Sequence, residues 1–404
     1  MNNMTTVRMT GEGTRVQVLP DDGLQGTLVG RVWAPGSIPG PAVVVLRTEG
    51  VFDLSESYPT MSTLLDAEQP EKAVHGARGH RLCSVEELIH NSLPGERNAK
   101  LPWLLAPCDL QVVKAAGVTF AASLIERVIE EQARGDASRA QGLRSQVIGL
   151  IGENLAEIRP GSPEAQALKA LLQEKGLWSQ YLEVGIGPDA EVFTKAPVLA
   201  SVGCGEDIGI RADSAWNNPE PEVVLAVNSR GQIVGATLGN DVNLRDIEGR
   251  SALLLGKAKD NNASCALGPF IRLFDAGFGL DQVRSETVHL RVVGVDGFEL
   301  RGINTMGSIS RDPTDIVAQT LAAHQYPDGF MLFLGTLFAP IEDRDEPGSG
   351  FTHKLGDLVT IQSAWLGGLQ NCVTHSETAA PWRFGLRAFI NNLSQRGLLR
   401  DAAL

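Results

Sequence analysis

Glu220 and Glu222 stand two residues apart in Pro219-Glu220-Pro221-Glu222, and Asp241 follows about one hairpin later in Asn240-Asp241. In an extended strand, positions i and i+2 point to one face, so the two glutamates share a side. Val223 to Asn228 is apolar and β-prone, Ser229-Arg230-Gly231 supplies a turn, and Gln232 to Gly239 reads as the returning strand. With Arg230-Gly231 as a two-residue turn, counting along the hairpin sets Asp241 opposite Glu220. Three carboxylates gathered in this way cannot all ionise in a protein pocket without a cation. Ligation by oxygen alone selects a hard metal such as Mg²⁺.

Further residues fall in a recognisable order. Asn240-Asp241-Val242-Asn243-Leu244-Arg245-Asp246 precedes a helical stretch, then come Lys257-Ala258-Lys259-Asp260 and Leu267-Gly268-Pro269. Phe193-Thr194-Lys195-Ala196-Pro197 lies upstream; Gly335-Thr336 follows the run Phe330 to Leu334, and Leu355-Gly356-Asp357-Leu358-Val359 comes late. This order resembles the fumarylacetoacetate hydrolase superfamily, in which an E-x-E pair and an aspartate hold Mg²⁺ or Mn²⁺. The resemblance covers roughly residues 100 to 365. It implies metal ligation by Glu220, Glu222 and Asp241, and it matches Lys259 to the family lysine by its distance from Gly268-Pro269. Charge agrees with a lysine there. Three protein carboxylates, one substrate carboxylate and a dication still leave a deficit of positive charge, which Lys259 relieves while remaining able to move a proton.

A metal on three carboxylates keeps open positions for a bidentate ligand, and a 2-oxo acid offers a carboxylate oxygen and its C2 carbonyl oxygen. The family's G-x-N-Y-x-x-H-x-x-E stretch lines up with Gly117 to Glu126. Glu126 is kept, but Ser123 stands where the hydrolytic branch has its histidine. A serine cannot serve as the general base that a hydrolase needs at neutral pH, whereas Glu126 can still give or take a proton. Gly117 to Arg127 and Pro381-Trp382-Arg383-Phe384-Gly385-Leu386-Arg387 resemble the 2-keto-3-deoxy-pentonate dehydratases of the superfamily. That branch implies Mg²⁺-dependent conversion of 2-dehydro-3-deoxy-D-pentonate to 2,5-dioxopentanoate and water, in non-phosphorylative pentose catabolism. It also implies Lys259 at the enolate or the C3 proton and Glu126 at the departing C4 hydroxyl. Ser123, Lys195, Ser310, Arg311 and Thr336 would orient the substrate, and the chain would form a homo-oligomer, a dimer or tetramer. Two rivals stand beside this reading: a hydrolase of acylpyruvates or 2,4-diketo acids, and a non-catalytic metal-binding homologue.

The elements that must position these groups belong to an ordinary globular chain of 404 residues, 43% hydrophobic and 21% charged. A net charge of −13 argues against nucleic-acid binding, which leaves a basic footprint. Cys83, Cys108, Cys204, Cys265 and Cys372 are odd in number and lack a C-x-x-C pair, so disulfides are not expected and a reducing, cytoplasmic compartment fits. Met1 to Thr6 lacks an apolar signal core, and no apolar run reaches about 18 residues, so neither secretion nor a membrane span is indicated.

The fold class is α+β, mainly β, and the resemblance implies a mixed β-sandwich roll. Residues 1–105 read as a small N-terminal α/β domain of short β-prone runs, such as Gly26 to Trp33 and Ala42 to Leu46. Residues 106–404 read as the catalytic domain. Within it, amphipathic patterns at 119–134, Arg139 to Leu155 and Pro163 to Leu182 form a helical insert over 119–183, positioned as a lid or as a packing buttress. A hairpin is expected at Leu290 to Gly302 around Asp296-Gly297, and a helix from Pro313 to His324 with Asp312 as its cap. Strands follow at Gly329 to Leu334 and Leu358 to Ile361, and a final amphipathic helix at Trp382 to Leu399.

Overall fold

The computed structural model describes residues 16–399 apart from 96, 150–157, 175, 177 and 348. Its chain opens on three antiparallel strands, β1 (Leu28–Ala34), β2 (Gly40–Arg47) and β3 (Gly50–Asp53). Short helices α1 (Met61–Leu65), α2 (Pro70–Gly76) and α3 (Val85–Ser92) are interleaved with β4 (His80–Cys83), and β5 (Trp103–Leu105) follows. After β6 (Val112–Ala116) the described residues form helices α4 (Ala121–Ala133), α5 (Ala137–Val147), α6 (Pro163–Glu174) and α7 (Gln180–Ile186).

The next stretch is strand-rich: β7 (Val192–Ala196), β8 (Asp207–Ile210), β9 (Asn217–Asn218), β10 (Pro221–Val227), β11 (Ile233–Asp241) and β12 (Asn243–Leu244). Short helices α8 (Arg245–Glu248) and α9 (Leu255–Lys259) lead to β13 (Cys265–Leu273). The chain closes with α10 (Leu280–Ser285), β14 (Thr287–Val293), β15 (Glu299–Thr305), α11 (Pro313–Leu321), β16 (Phe330–Phe333), β17 (Leu358–Ser363), β18 (Gly367–His375) and α12 (Leu386–Gln395).

Among the described residues one large sheet runs β4-β3-β2-β1-β13-β11-β10-β16-β6-β7, with β5 on β1, and a second runs β15-β14-β17-β18-β8. The first hundred residues therefore add their strands to the sheet that carries β10 and β11. Every residue of β10 is buried, as its unbroken run Val223 to Val227 requires of a strand covered on both faces. Val223, Leu225 and Val227 face a core shared with Leu290, Val359 and Ile361 of the second sheet. Val224 and Ala226 face a separate core with Leu64, Ala115, Leu267 and Phe333. Alternation places Glu222 on this second face, at the end where apolar side chains give way to charge.

Several sequence expectations meet their counterparts: α4, α11, β16, β17 and the hairpin of β14 with β15. Asp312 caps α11, accepting from Thr314 N–H. The pattern over Pro163 to Leu182 divides into α6 and α7, because Ser179 starts a new helix by accepting from Tyr181 N–H. Of the pattern Arg139 to Leu155, α5 covers the first part, and residues 150–155 lie outside the described residues, as do Met1 to Thr6. The last helix begins at Leu386 rather than Trp382. Strand β18 gave no signal, since Gly367-Gly368 and Gln370-Asn371 disfavour a strand locally. A Cβ on Gly367 would collide with the Val18 carbonyl, so the close crossing of residues 16–19 over this strand requires the glycine. No helix of the described residues is long and apolar enough to cross a membrane. The five cysteines are buried and form no disulfide among themselves.

Candidate metal centre

The hairpin of β10 and β11 sets the carboxylates. Pro221 pairs with Asn240 and Glu222 with Gly239, and Asp241 N–H donates to the Glu220 carbonyl at 3.0 Å. Asp241 therefore lies opposite Glu220, as counting along the hairpin predicted. The turn differs from the expected two-residue form. Asn228 N–H donates to the Gln232 carbonyl around a three-residue loop, and a bulge between Ala226 and Val227 restores the register. The backbone of Glu220 is fixed further by its N–H on the Asn240 side-chain oxygen, 3.0 Å.

One oxygen from each of Glu220, Glu222 and Asp241 lies within 4.8 Å of the others, and all three residues are buried. At that spacing two unit charges repel by roughly 3 kcal/mol even at an effective dielectric of about 20. Burial, together with Asp241 and Glu220, pushes the Glu222 carboxyl well above the usual carboxylate range, despite a 2.7 Å hydrogen bond from Gly335 N–H. For Asp241 burial acts in the same direction, but Lys195 and Lys259 outweigh it and hold its carboxyl below its ordinary value.

Lys259, at the end of α9, puts its Nζ 2.5 Å from Glu220 Oε2 and 3.1 Å from Asp241 Oδ2. Burial alone would lower its pKa; Asp241, Glu220 and Glu248 instead hold the ammonium above the ordinary lysine range. Lys195, on β7, is fully buried with Nζ 2.7 Å from Asp241 Oδ1, and it donates to the carbonyls of Val242 and Lys259. Two ammoniums on three carboxylates leave one of them, Glu222, disfavoured as an anion. A divalent cation supplies the missing charge, and an all-oxygen donor set of this size suits a hard one, so the residues fit such an ion.

Helix α4 closes one side. Arg127 binds Glu220 Oε1 through Nη2, and its Nη1 lies 2.6 Å from Glu130 and 3.1 Å from Glu248. Arg245 Nε lies 3.1 Å from Glu130, and its Nη1 donates to the Pro340 carbonyl. Glu191, just before β7, packs over Gly117, where a Cβ would collide with its Oε2. Burial, then Glu248, raise the Glu191 carboxyl to about 7, with Arg127 and Lys259 acting against them.

No family model matches the chain. It is 32% identical over 154 residues to the 2-dehydro-3-deoxy-D-arabinonate dehydratase of Saccharolobus solfataricus, 38% of this chain and 51% of that protein. Over 99 residues it is 41% identical to the probable 2-keto-3-deoxyxylonate dehydratase of Haloferax volcanii, 24% of this chain and 34% of that one. The matches thus span about half of the first relative and a third of the second. Among solved structures, 2-keto-3-deoxy-D-arabinonate dehydratase complexed with magnesium and 2,5-dioxopentanoate superposes with a TM-score of 0.59 at 21% identity, covering 86% of this chain and 99% of that one. Fumarylacetoacetate hydrolase from Exiguobacterium antarcticum superposes at 0.51 and 15% identity, with the same coverage. The chain has the fumarylacetoacetate hydrolase fold. The similar sequences carry pentonate dehydratase names and the fold is the one that the motifs led us to expect.

Within this fold, Glu220, Glu222, Asp241, Lys195 and Lys259 come together. Glu126 lies on α4, one residue from Arg127, but both of its oxygens are taken by Arg144 of α5, at 3.0 and 2.7 Å. Ser123 donates to the Phe120 carbonyl, Ser310 to that of Thr119, and Thr336 to that of Phe338. Arg311 gathers the carbonyls of Val184, Gly187, Pro188 and Asp189 at the end of α7. Glycine rather than threonine in Gly335-Thr336 touches the cage, through its N–H. Sequence reasoning missed Arg127, Glu130, Glu191, Arg245 and Glu248. Arg245 sits in the quoted stretch after Asp241 with Glu248 two residues past its end, and Gly117 and Arg127 sit in the quoted helix motif, so a signal lay near each. For Glu130 there was none.

Proposed function

We propose that the protein is a Mg²⁺-dependent hydro-lyase that converts 2-dehydro-3-deoxy-D-pentonate to 2,5-dioxopentanoate and water. The observation that carries the reading is the charge of the cage and its surround. Glu130, Glu220, Glu222, Asp241 and Glu248 are five carboxylates in contact with four cations, Arg127, Lys195, Arg245 and Lys259, or grouped with those that are. One negative charge is left over. A divalent ion together with a single substrate carboxylate brings the cluster to neutrality, which suits a monocarboxylate chelator such as a 2-oxo acid. The names of the relatives add the pentonate backbone and the dehydration.

Glu220, Glu222 and Asp241 would hold the ion, Mg²⁺ or Mn²⁺. When bound, the ion polarises the 2-oxo carbonyl and acidifies the C3 protons. Lys259 stabilises the enolate oxygen as the ammonium, or removes the C3 proton as the neutral amine, and Lys195 holds Asp241 in place. Glu126 gives its proton to the departing C4 hydroxyl. For that step Arg144 must release Glu126, and this contact favours a second assignment. Glu191, partly buried above Gly117 with its carboxyl raised to about 7, is a second candidate proton donor. Ser123, Ser310 and Thr336 donate to carbonyls but keep lone pairs for substrate hydroxyls, while Arg311 acts through the end of α7.

The helices over 119–183 serve as the lid that excludes water from the enolate, with residues 1–105 as a small N-terminal domain and 106–404 as the catalytic domain. Buried cysteines without a disulfide among them suit a cytoplasmic enzyme, and assembly as a homo-oligomer completes the reading. The decisive assay gives purified protein and Mg²⁺ a panel of 2-keto-3-deoxy acids and acylpyruvates. Release of a 2,5-dioxo acid is expected. Efficient acylpyruvate cleavage without attack on the pentonate would replace the dehydratase by the hydrolase, and inactivity on the whole panel would favour the non-catalytic homologue.

A further inference from the structure

We infer that Arg127 is a positioning residue for the cage: it holds Glu220 from the side of α4 and sets how tightly the cage takes a divalent ion. The inference rests on the metal reading of Glu220, Glu222 and Asp241. The two oxygens of Glu220 are divided, Oε1 to Arg127 and Oε2 to Lys259. The Arg127 guanidinium also spans three elements, since Glu130 belongs to α4, Glu248 to α8 and Glu220 to the entry of β10. A planar fork with several donors can make all these contacts at once; a lysine ammonium on the same helix cannot keep that geometry. One buried side chain therefore fixes the rotamer of a ligand and the seat of the helix that carries Glu126.

Two consequences follow with opposite signs. A guanidinium bound to Glu220 would repel a dication held by the same carboxylate, so Arg127 weakens ion binding. The same contact locks Glu220 and α4 in the arrangement that the reaction uses, so Arg127 raises turnover. A merely structural arginine would, when removed, lower both.

The test uses the full chain, with Mn²⁺ as probe by calorimetry and amide exchange read over α4. Arg127→Met is expected to bind Mn²⁺ about tenfold more tightly than the wild type, to lose protection in α4, and to turn over at least about tenfold more slowly. Arg127→Lys, which restores the charge but not the fork, should bring Mn²⁺ affinity back toward the wild type and leave kcat low. Mn²⁺ affinity that is unchanged or weaker in Arg127→Met overturns the inference. Should that variant fail to fold, the wild type decides: Mn²⁺ must change the exchange of α4, and identical protection with and without the ion overturns it. A wild type that takes up no Mn²⁺ sinks the metal reading itself, a result distinct from equal affinity in wild type and variant.

Discussion

The hairpin that carries the carboxylates and the helical layer beside it are held by different forces. In the hairpin, backbone hydrogen bonds beyond the bulge hold the register that brings Glu220 and Asp241 face to face, and the side chains follow from the pleat. In the helical layer, an apolar core that includes Leu124, Val128, Ile129, Leu172, Leu182 and Ile186 packs the helices on one another, and charged side chains set their link to the site: Arg127 on Glu220, Arg144 on Glu126, and Ser179 and Gln180 on Glu131. A register is all-or-none, since a slip of one residue would turn every side chain to the opposite face. An ion pair can lengthen or exchange partners at modest cost where solvent reaches it. The molecule thus keeps its ligands on the rigid part and its proposed proton donor, Glu126, on the adjustable part.

The largest expected effect tests the rigid half. Glu220→Ala, Glu222→Ala or Asp241→Ala should each abolish Mn²⁺ uptake and reduce turnover by about a thousandfold or more, with circular dichroism unchanged. Excess chelator should inactivate the wild type reversibly. Full activity in chelator, with no metal detected by elemental analysis, would remove the cage from the chemistry.

Next in size is the choice of proton donor, where the two halves meet. The correct one of Glu126→Gln and Glu191→Gln should slow water loss about a hundredfold or more. The pH profile separates them. A donor whose carboxyl lies at about 7 is active below that pH and fades as it ionises above, so Glu191 as donor predicts an alkaline limb that Glu191→Gln abolishes. A limb that persists in this variant returns the role to Glu126. In Glu126→Gln, C3 deuterium exchange that survives loss of dehydration would assign C3 deprotonation to Lys259.

A subtler test concerns the mobility of the helical layer. Pyruvate plus Mg²⁺ should slow amide exchange about tenfold in the described residues of 119–183 and leave β10 and β11 unaffected. Equal protection in both states would make the helices a buttress. The smallest effect belongs to the half-buried pair Arg144–Glu126: Arg144→Gln should cost about 1 kcal/mol in denaturant unfolding. If Glu126 is the donor, the same variant should also move the pH profile, and an unmoved profile would count for Glu191.

The opposition of Glu220 and Asp241 was legible without a structure, because pairing in a hairpin is arithmetic along one short piece of chain. The three-residue loop broke the assumed turn, yet the bulge at Ala226 and Val227 compensated, and the buried faces on both sides held the register. Lys259 and Lys195 were legible only through resemblance, since a lone lysine looks like surface in any sequence. Arg127, Glu130, Arg245 and Glu248 were not legible as a cluster. Arg127 and Glu220 are 93 residues apart, and nothing local distinguishes a charge that will be buried from one that will be solvated. Arg311, Ser310 and Thr336 show the converse: polar residues of the right type near the right motif, whose hydrogen bonds go to backbone carbonyls. Which carboxylates face one another can be read from the order of residues along the hairpin, because backbone register is a short-range property. Which charges surround them emerges only when distant segments fold together, because ion pairing depends on where those segments meet and how far water is excluded there.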